Sequence, residues 1–264
     1  MGHTELGVLP KSAKWRAVAE LLAAPQINVA QVAATTATAA ANRLTSLRGD
    51  PSVGYCFWLL TRLASAARGP DFQEGVRALG IPIRPDDTAM ALIARVAEVS
   101  RMEISRYPAS GPFGEMAALA LRRALAETVG VESRSLLGAS LTDLERAFRR
   151  HSSPAQFGEL SKRFFGEFYA RTLRYYVERE LQNRVGAGAL PTVEAANDFS
   201  DALALHARET ARYVEGFAAA WYDKHNWQQS GAISPVETQA FVAHALRKMR
   251  TEIAREAAEL VTPR

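Results

Sequence analysis

Apolar side chains recur at helical spacing between residues 153 and 184, with arginines and glutamates placed among them. Pro154 opens this stretch, and no further proline interrupts it. Two apolar rows run along the predicted helix: Phe157, Leu160, Phe164, Phe168 and Tyr175 form the first, and Phe165, Tyr169 and Tyr176 form the second. The rows lie about a hundred degrees apart. Because they cover so wide an arc, other helices or a partner must cover the helix.

A helical period of apolar residues recurs through most of the chain, and strand-plus-hairpin signals are missing. We therefore predict an all-α fold, in which an irregular N-terminal helical subdomain (residues 1–150) packs on a C-terminal antiparallel bundle (residues 151–264). The bundle is predicted to contain three long helices, which start near Pro154, Thr192 and Pro235. The alternative is that both parts share one core.

The composition, with 48% apolar and 23% charged residues, is that of an ordinary globular protein. Apolar runs such as residues 55–60 are far shorter than the ~20 residues that span a bilayer. The N-terminal segment also lacks the apolar centre of a signal peptide. We therefore predict a cytoplasmic protein with no membrane partner. The single cysteine, Cys56, excludes an intrachain disulfide and is predicted to be buried and unreactive.

The positive charge of the chain comes mainly from arginine. The net charge is +4, and only five of the 32 basic residues are lysines. Guanidinium groups bind carboxylates and phosphates in bidentate fashion, so this bias is consistent with anionic partners. The alternative explanation is the codon composition of a GC-rich genome.

Aromatic residues supply the candidates for a protein-binding surface. Segment 221–231 is predicted to connect two helices, and aromatic side chains with polar tips are common at recognition surfaces. The alternative is that the rings of this segment plug the end of the bundle, and that those on the long helix pack in a core. The candidates are Trp221, Tyr222, His225 and Trp227 in this segment, and Phe165, Tyr169 and Tyr176 on the long helix.

Arginines on two predicted helices supply candidates for contacts with DNA or RNA, the alternative kind of partner. Arginines interleaved with aromatic rings are able to pair phosphates and stack on bases. The competing interpretation is a solvated face, because several glutamates lie three or four residues from these arginines. The candidates are Arg146, Arg149, Arg150, Arg163, Arg171 and Arg174.

We predict no catalytic residues, no cofactor and no metal site. His206 and Glu209 have the order His-x-x-Glu, whereas helical bundles bind metals through Glu-x-x-His pairs. The HExxH zinc motif is absent from the sequence. An enzyme would require a polar cleft that gathers His206, His244, Asp198 or Glu209 from distant positions.

These patterns together predict a non-enzymatic helical protein that acts as an interaction or scaffold subunit of a bacterial multiprotein assembly. Its partners are expected to be other protein subunits or a second copy of the chain. Large aromatics and arginine are both enriched at protein interfaces, which supports this hypothesis. A nucleic-acid-binding accessory protein is the second hypothesis, and an enzyme is the third.

Overall fold

The structure is a computed structural model that describes residues 12–84, 87–132, 141–229 and 233–261. These residues form thirteen α-helices and no β-strand, which confirms the predicted all-α fold. The N-terminal helices are α1 (Ala13–Leu22), α2 (Val29–Ala39), α3 (Ala41–Ser46), α4 (Pro51–Ala66), α5 (Phe72–Arg77), α6 (Ala89–Ile104), α7 (Pro112–Glu127) and α8 (Val129–Glu132). The C-terminal helices are α9 (Leu141–His151), α10 (Pro154–Leu181), α11 (Val193–Thr210), α12 (Arg212–Gln229) and α13 (Pro235–Val261).

Local sequence sets where helices α7 and α10 start. Pro112 and Pro154 each occupy the first position of a helix, where the missing N–H costs no hydrogen bond. Gly111, directly before α7, has a φ of 55°, in the left-handed region that glycine adopts without strain. These residues fix where α7 and α10 enter the core.

Helix α10 lies at the centre of the molecule and packs against α7, α11 and α12. Phe164, Phe165 and Tyr169 have no exposed surface. Gly158 allows α12 to approach closely, because a Cβ atom there would lie 2.6 Å from the carbonyl oxygen of Glu215. The wide apolar arc predicted from the sequence is therefore covered by neighbouring helices.

One cluster of buried side chains extends from Trp15 to Ile253. Phe57 of α4 lies near its centre, with its ring centroid 4.9 Å from that of Phe165 and 5.2 Å from that of Phe241. These contacts join α4 to both α10 and α13. The N-terminal and C-terminal helices therefore bury their side chains against a common core.

The structure corrects the prediction that one long helix starts near Thr192 and continues to the segment before Pro235. The chain instead breaks at Ala211, between α11 and α12. The Ala211 N–H donates to the carbonyl of Arg208 three residues earlier, and the Thr210 hydroxyl donates to the carbonyl of His206. Threonine bonds of this kind bend helices. The described C-terminal part therefore contains four long helices where three were predicted.

The prediction of a connecting loop at residues 221–231 is also wrong over most of its length. Helix α12 continues to Gln229, so Trp221, Tyr222 and His225 lie on a regular helix. Residues 230–232 lie outside the described part of the chain. Trp221 and Tyr222 therefore project from different faces of one helix, and their exposure differs accordingly.

Candidate partner-binding groove and arginine-lined cleft

Two helices of the C-terminal part form a partly exposed groove. Phe217, Trp221 and His225 follow at four-residue spacing on α12, so they lie on one face. The facing row on α13 contains Phe241 and His244. We call this feature, of about 400 Å³ and also lined by Glu237 and Ala240, the aromatic groove.

Ring contacts hold the aromatic groove in shape. The Trp221 ring lies 4.6 Å from the Phe241 ring, which forms the floor and is only 5% exposed. Phe217 meets the exposed His244 ring edge-on at 5.0 Å. The Nδ1 atom of His225 lies 2.7 Å from the carbonyl oxygen of Trp221, one helical turn away. Aromatic rings thus form both walls, and the histidine nitrogens provide polar atoms at the rim.

The start of α13 places a carboxylate at one end of the aromatic groove. The Ser234 N–H donates to Glu237 Oε2 at 3.0 Å, and the Glu237 N–H donates back to Ser234 Oγ at 3.3 Å. This is a capping box, which fixes both the helix start and the glutamate side chain. Glu237 Oε1 also lies 3.9 Å from His225 Nε2. The groove therefore has an acidic end that local sequence positions.

A second concave region lies between α7, α10 and α11. This arginine cleft has a volume of about 500 Å³. Its apolar surface comes from residues of α7 and α10, among them Met116, Leu119 and Ala170. Its charged residues are Arg123, Arg171, Arg174 and Arg208, together with Glu115, Glu167 and Glu178.

Glu167 is the buried centre of the arginine cleft, with 4% of its surface exposed. Its Oε1 atom lies 2.7 Å from Arg171 Nη2, and its Oε2 atom lies 3.0 Å from Arg208 Nη2. Arg123 Nε is 3.7 Å from the same Oε2 atom. Three helices therefore direct guanidinium groups at one carboxylate, which stabilises a charge that burial alone would disfavour.

The seven predicted partner-binding residues fall into different environments. Trp221 and His225 line the aromatic groove. Phe165, Tyr169 and Tyr222 have no exposed surface, and Tyr176 is 9% exposed, so in this structure these four side chains pack in the core instead of forming a protein-binding surface. The Trp227 side chain lies outside the described residues.

The six arginines proposed for phosphate contacts all lie beside carboxylates. Each neighbouring carboxylate offsets a charge that phosphate binding would require, and the pairs are mostly one helical turn apart. The nearest distances are 2.8 Å for Arg146–Asp143, 2.8 Å for Arg149–Glu145, 3.6 Å for Arg150–Glu132, 3.0 Å for Arg163–Glu159, 2.7 Å for Arg171–Glu167 and 2.9 Å for Arg174–Glu178.

The two histidines named for an enzymatic site have different neighbours in the fold. His206 Nε2 is 3.8 Å from Glu256 Oε2 on α13, whereas the exposed His244 ring lies at the aromatic groove beside Arg247. Within the described residues, no three histidine, cysteine or acidic side chains gather as metal ligands would. Cys56 is fully buried, and burial raises the pKa of its thiol. A reactive thiolate requires the opposite shift.

Sequence reasoning missed several residues of both features. Phe217 shares a four-residue spacing with Trp221 and His225. This spacing predicts a common face only if residues 221–225 continue the helix that contains Phe217. Phe241 and His244 have no such signal, because their position opposite α12 depends on tertiary packing. Arg123 and Arg208 likewise reach Glu167 from other helices.

Among the described residues, no helix has the length and apolarity required to cross a bilayer. Comparison with known proteins found no matching protein-family model, no matching curated protein and no matching solved structure.

Proposed function

We propose that this protein is a non-enzymatic helical subunit that binds another protein through the aromatic groove. The observation that carries this proposal is the set of adjoining, partly exposed rings of Phe217, Trp221, His225 and His244. Large rings in a concave site are the usual anchors of protein interfaces. Most other large apolar side chains of the described chain are buried.

The dimensions of the groove favour an amphipathic helix as the bound segment. From Phe217 to His225 the α12 wall rises over eight residue steps, which is roughly 12 Å or two helical turns. Helices that dock in grooves use apolar anchors spaced over this distance. The acidic end at Glu237 and the basic Arg247 beside His244 lie at opposite ends of the α13 wall. A partner helix with a basic residue at one end and an acidic residue at the other would complement both.

Site-specific photocrosslinking tests this proposal in cells that make the protein naturally. A benzoylphenylalanine at Ala240, which is exposed and lines the groove, should give a discrete protein adduct. The same probe at Leu205, which is 54% exposed on α11, is the matched control and should give none. Mass spectrometry of the adduct should identify a segment with one apolar helical face. Equal crosslinking at both positions would contradict the proposal.

Substitution of Trp221 distinguishes the groove from other surfaces. With an identified partner, Trp221→Ala should weaken binding by about 2 kcal/mol, roughly thirtyfold, as anchor residues do. Circular dichroism must show that the variant remains folded. An adduct with a second copy would instead identify self-association.

Nucleic-acid binding remains the alternative function, and no contact described above favours it. DNA or RNA that binds with a steep dependence on salt, and equally well to the Trp221 variant, would support this alternative.

A further inference from the structure

Three arginines lie where α13 packs against the segment that joins α3 to α4. Arg247 and Arg250 are three residues apart on α13, so they share one helical face. Arg48 lies in a short turn of 3₁₀ helix at Leu47–Gly49, which α13 contacts. We call these residues the three-arginine cluster. Across the ranges that the structure describes, none of them forms an ion pair with a carboxylate, in contrast to the six arginines that the sequence predicted to contact phosphate.

Two hydrogen bonds hold the segment that contains Arg48 along α13. Arg250 Nη1 donates to Thr45 Oγ1 at 3.4 Å, and Gln239 Nε2 donates to the carbonyl of Arg48. These bonds orient the segment antiparallel to α13, which brings Arg48 beside the other two arginines. Partial burial and the positive charges of Arg250 and Arg247 lower the pKa of Arg48. Guanidinium groups stay protonated in proteins, so the three positive charges repel one another.

The three-arginine cluster has a surplus of positive charge. Two acidic residues, Asp50 and Glu252, lie within five positions of it along the chain. The charges of Glu252 and Glu259 are offset by Lys248 and Arg255. Helix α2, which also packs against α13, has no charged residue. Three arginines and the buried Asp50 therefore leave two positive charges without a counter-charge in this neighbourhood.

From this arrangement we propose that the three-arginine cluster binds the doubly negative phosphate monoester group of a small organic phosphate or of a phosphorylated side chain. The dianion offsets both surplus charges. Its oxygens accept hydrogen bonds from Arg247, Arg250 and Arg48, in the bidentate geometry that guanidinium groups favour. The Thr45 hydroxyl accepts from Arg250 and donates its own proton to the phosphate. This site binds its ligand whether or not the aromatic groove binds a protein.

Calorimetric titration of the full chain at constant ionic strength tests the charge of the ligand. Methyl phosphate is a dianion at about pH 8, because the second pKa of such a group is about 6. Methyl sulfate has nearly the same shape and a single charge. Methyl phosphate should bind about tenfold more tightly, because it offsets both surplus charges. Equal affinity for the two would overturn the proposal, and so would a lack of saturable methyl phosphate binding.

Two further probes distinguish the sources of the phosphate. A short phosphoserine peptide that binds more tightly than methyl phosphate would assign the group to a phosphorylated protein, whereas weaker binding of the peptide would assign it to a small organic phosphate. Dimethyl phosphate carries the single charge of a nucleic-acid backbone phosphate. If it binds as tightly as methyl phosphate, the proposal of a monoester site is wrong.

Substitution of single arginines locates the site. Arg247→Gln and Arg48→Gln should each weaken methyl phosphate binding about tenfold, because charge-assisted hydrogen bonds are lost. Folding of Arg247→Gln should persist, since this side chain is exposed and forms no ion pair among the described residues. Arg146→Gln is the matched control and should bind like the natural chain, because Arg146 is 60% exposed and pairs with Asp143. Trp221→Ala should also leave this binding unchanged. An equal loss of affinity in Arg146→Gln would overturn the assignment to this cluster.

Discussion

Helices α10 and α12 are both rich in aromatic residues, yet their surroundings differ. Helix α10 is covered by α7, α11 and α12, and its Phe165 and Tyr169 rings have no exposed surface. Helix α12 buries Tyr222 against Phe157 of α10, with ring centroids 3.9 Å apart. A neighbouring face of the same helix, with Trp221, stays partly exposed at the aromatic groove. The same residue types therefore build a core in one helix and an accessible surface in the other.

This difference arises from the number of neighbours and not from the residues themselves. A helix packed on most of its circumference must bury its rings, whereas α12 has one packed face and one partly exposed face. The packed face of α12 meets α10 at Gly158, and the face that bears Trp221 contacts Phe241 and His244 of α13 at the groove. Function is therefore expected on the face that packing leaves partly uncovered.

The largest predicted effect compares one ring from each helix. Phe165→Ala should reduce the free energy of unfolding by about 3–5 kcal/mol, because a fully buried ring is replaced by a cavity. Trp221→Ala should reduce it by less than about 2 kcal/mol, because part of the ring is already in water. Urea denaturation followed by circular dichroism measures both. Equal losses would mean that Trp221 is a core residue and that the two helices do not differ as described.

The second-largest predicted effect on stability compares two glycines. Gly158→Ala should lower the free energy of unfolding by about 1–3 kcal/mol, because the new Cβ would meet the Glu215 carbonyl oxygen at 2.6 Å. Gly216→Ala on α12 has open space around the new Cβ and should raise it by about 0.5–1 kcal/mol. Thermal denaturation should shift the two midpoints in opposite directions. A shift to lower temperature for both variants would show that the α12 backbone is more crowded than the structure indicates.

The smallest effect concerns two buried tyrosines. The Tyr169 hydroxyl has no hydrogen-bond partner among the described residues, whereas the Tyr222 hydroxyl lies 3.4 Å from Ser65 Oγ. Tyr169→Phe should therefore be neutral or stabilise the fold by up to about 1 kcal/mol, and Tyr222→Phe should destabilise it by about 1 kcal/mol. Chemical denaturation of both variants provides the comparison. A clear loss of stability in Tyr169→Phe would reveal a partner for its hydroxyl.

The pH dependence of the stability of Tyr169→Phe provides a further test. Burial raises the pKa of Tyr169 in the folded state, so the folded chain retains this proton more strongly than the unfolded chain does. Stability is therefore lost as the pH rises above about 10, the ordinary tyrosine value. Tyr169→Phe should lose less stability than the natural chain over that alkaline range.

The sequence was sufficient to predict the all-α class and the wide apolar arc of α10, because both follow from helical periodicity. It also indicated pairs such as Arg171–Glu167, which are four residues apart on one helix. The break at Ala211 was missed because no glycine or proline marks it. Helical periodicity does not predict the buried position of Tyr222, because the sequence of segment 221–231 predicts a connection between helices.

The two concave regions depended on information that a single helix does not contain. The aromatic groove requires the row on α13 to lie opposite the row on α12. The arginine cleft requires Arg123 and Arg208 to reach Glu167 from helices far apart in the chain. Contacts between distant segments are set by packing of the whole molecule, so spacing along the sequence did not predict them.

The last helix contacts some of the first, and this has a consequence during synthesis. Helix α13 packs against α2 and α4, and Gln239 donates a hydrogen bond to the carbonyl of Arg48, 191 positions earlier. At typical translation rates, the ribosome needs roughly ten to forty seconds to make the intervening chain. During that interval α13 has not yet been made, so the apolar faces of α2 and α4 that pack against it remain exposed. The nascent polypeptide is therefore vulnerable to aggregation, and a chaperone that shields these faces should raise the yield of folded protein.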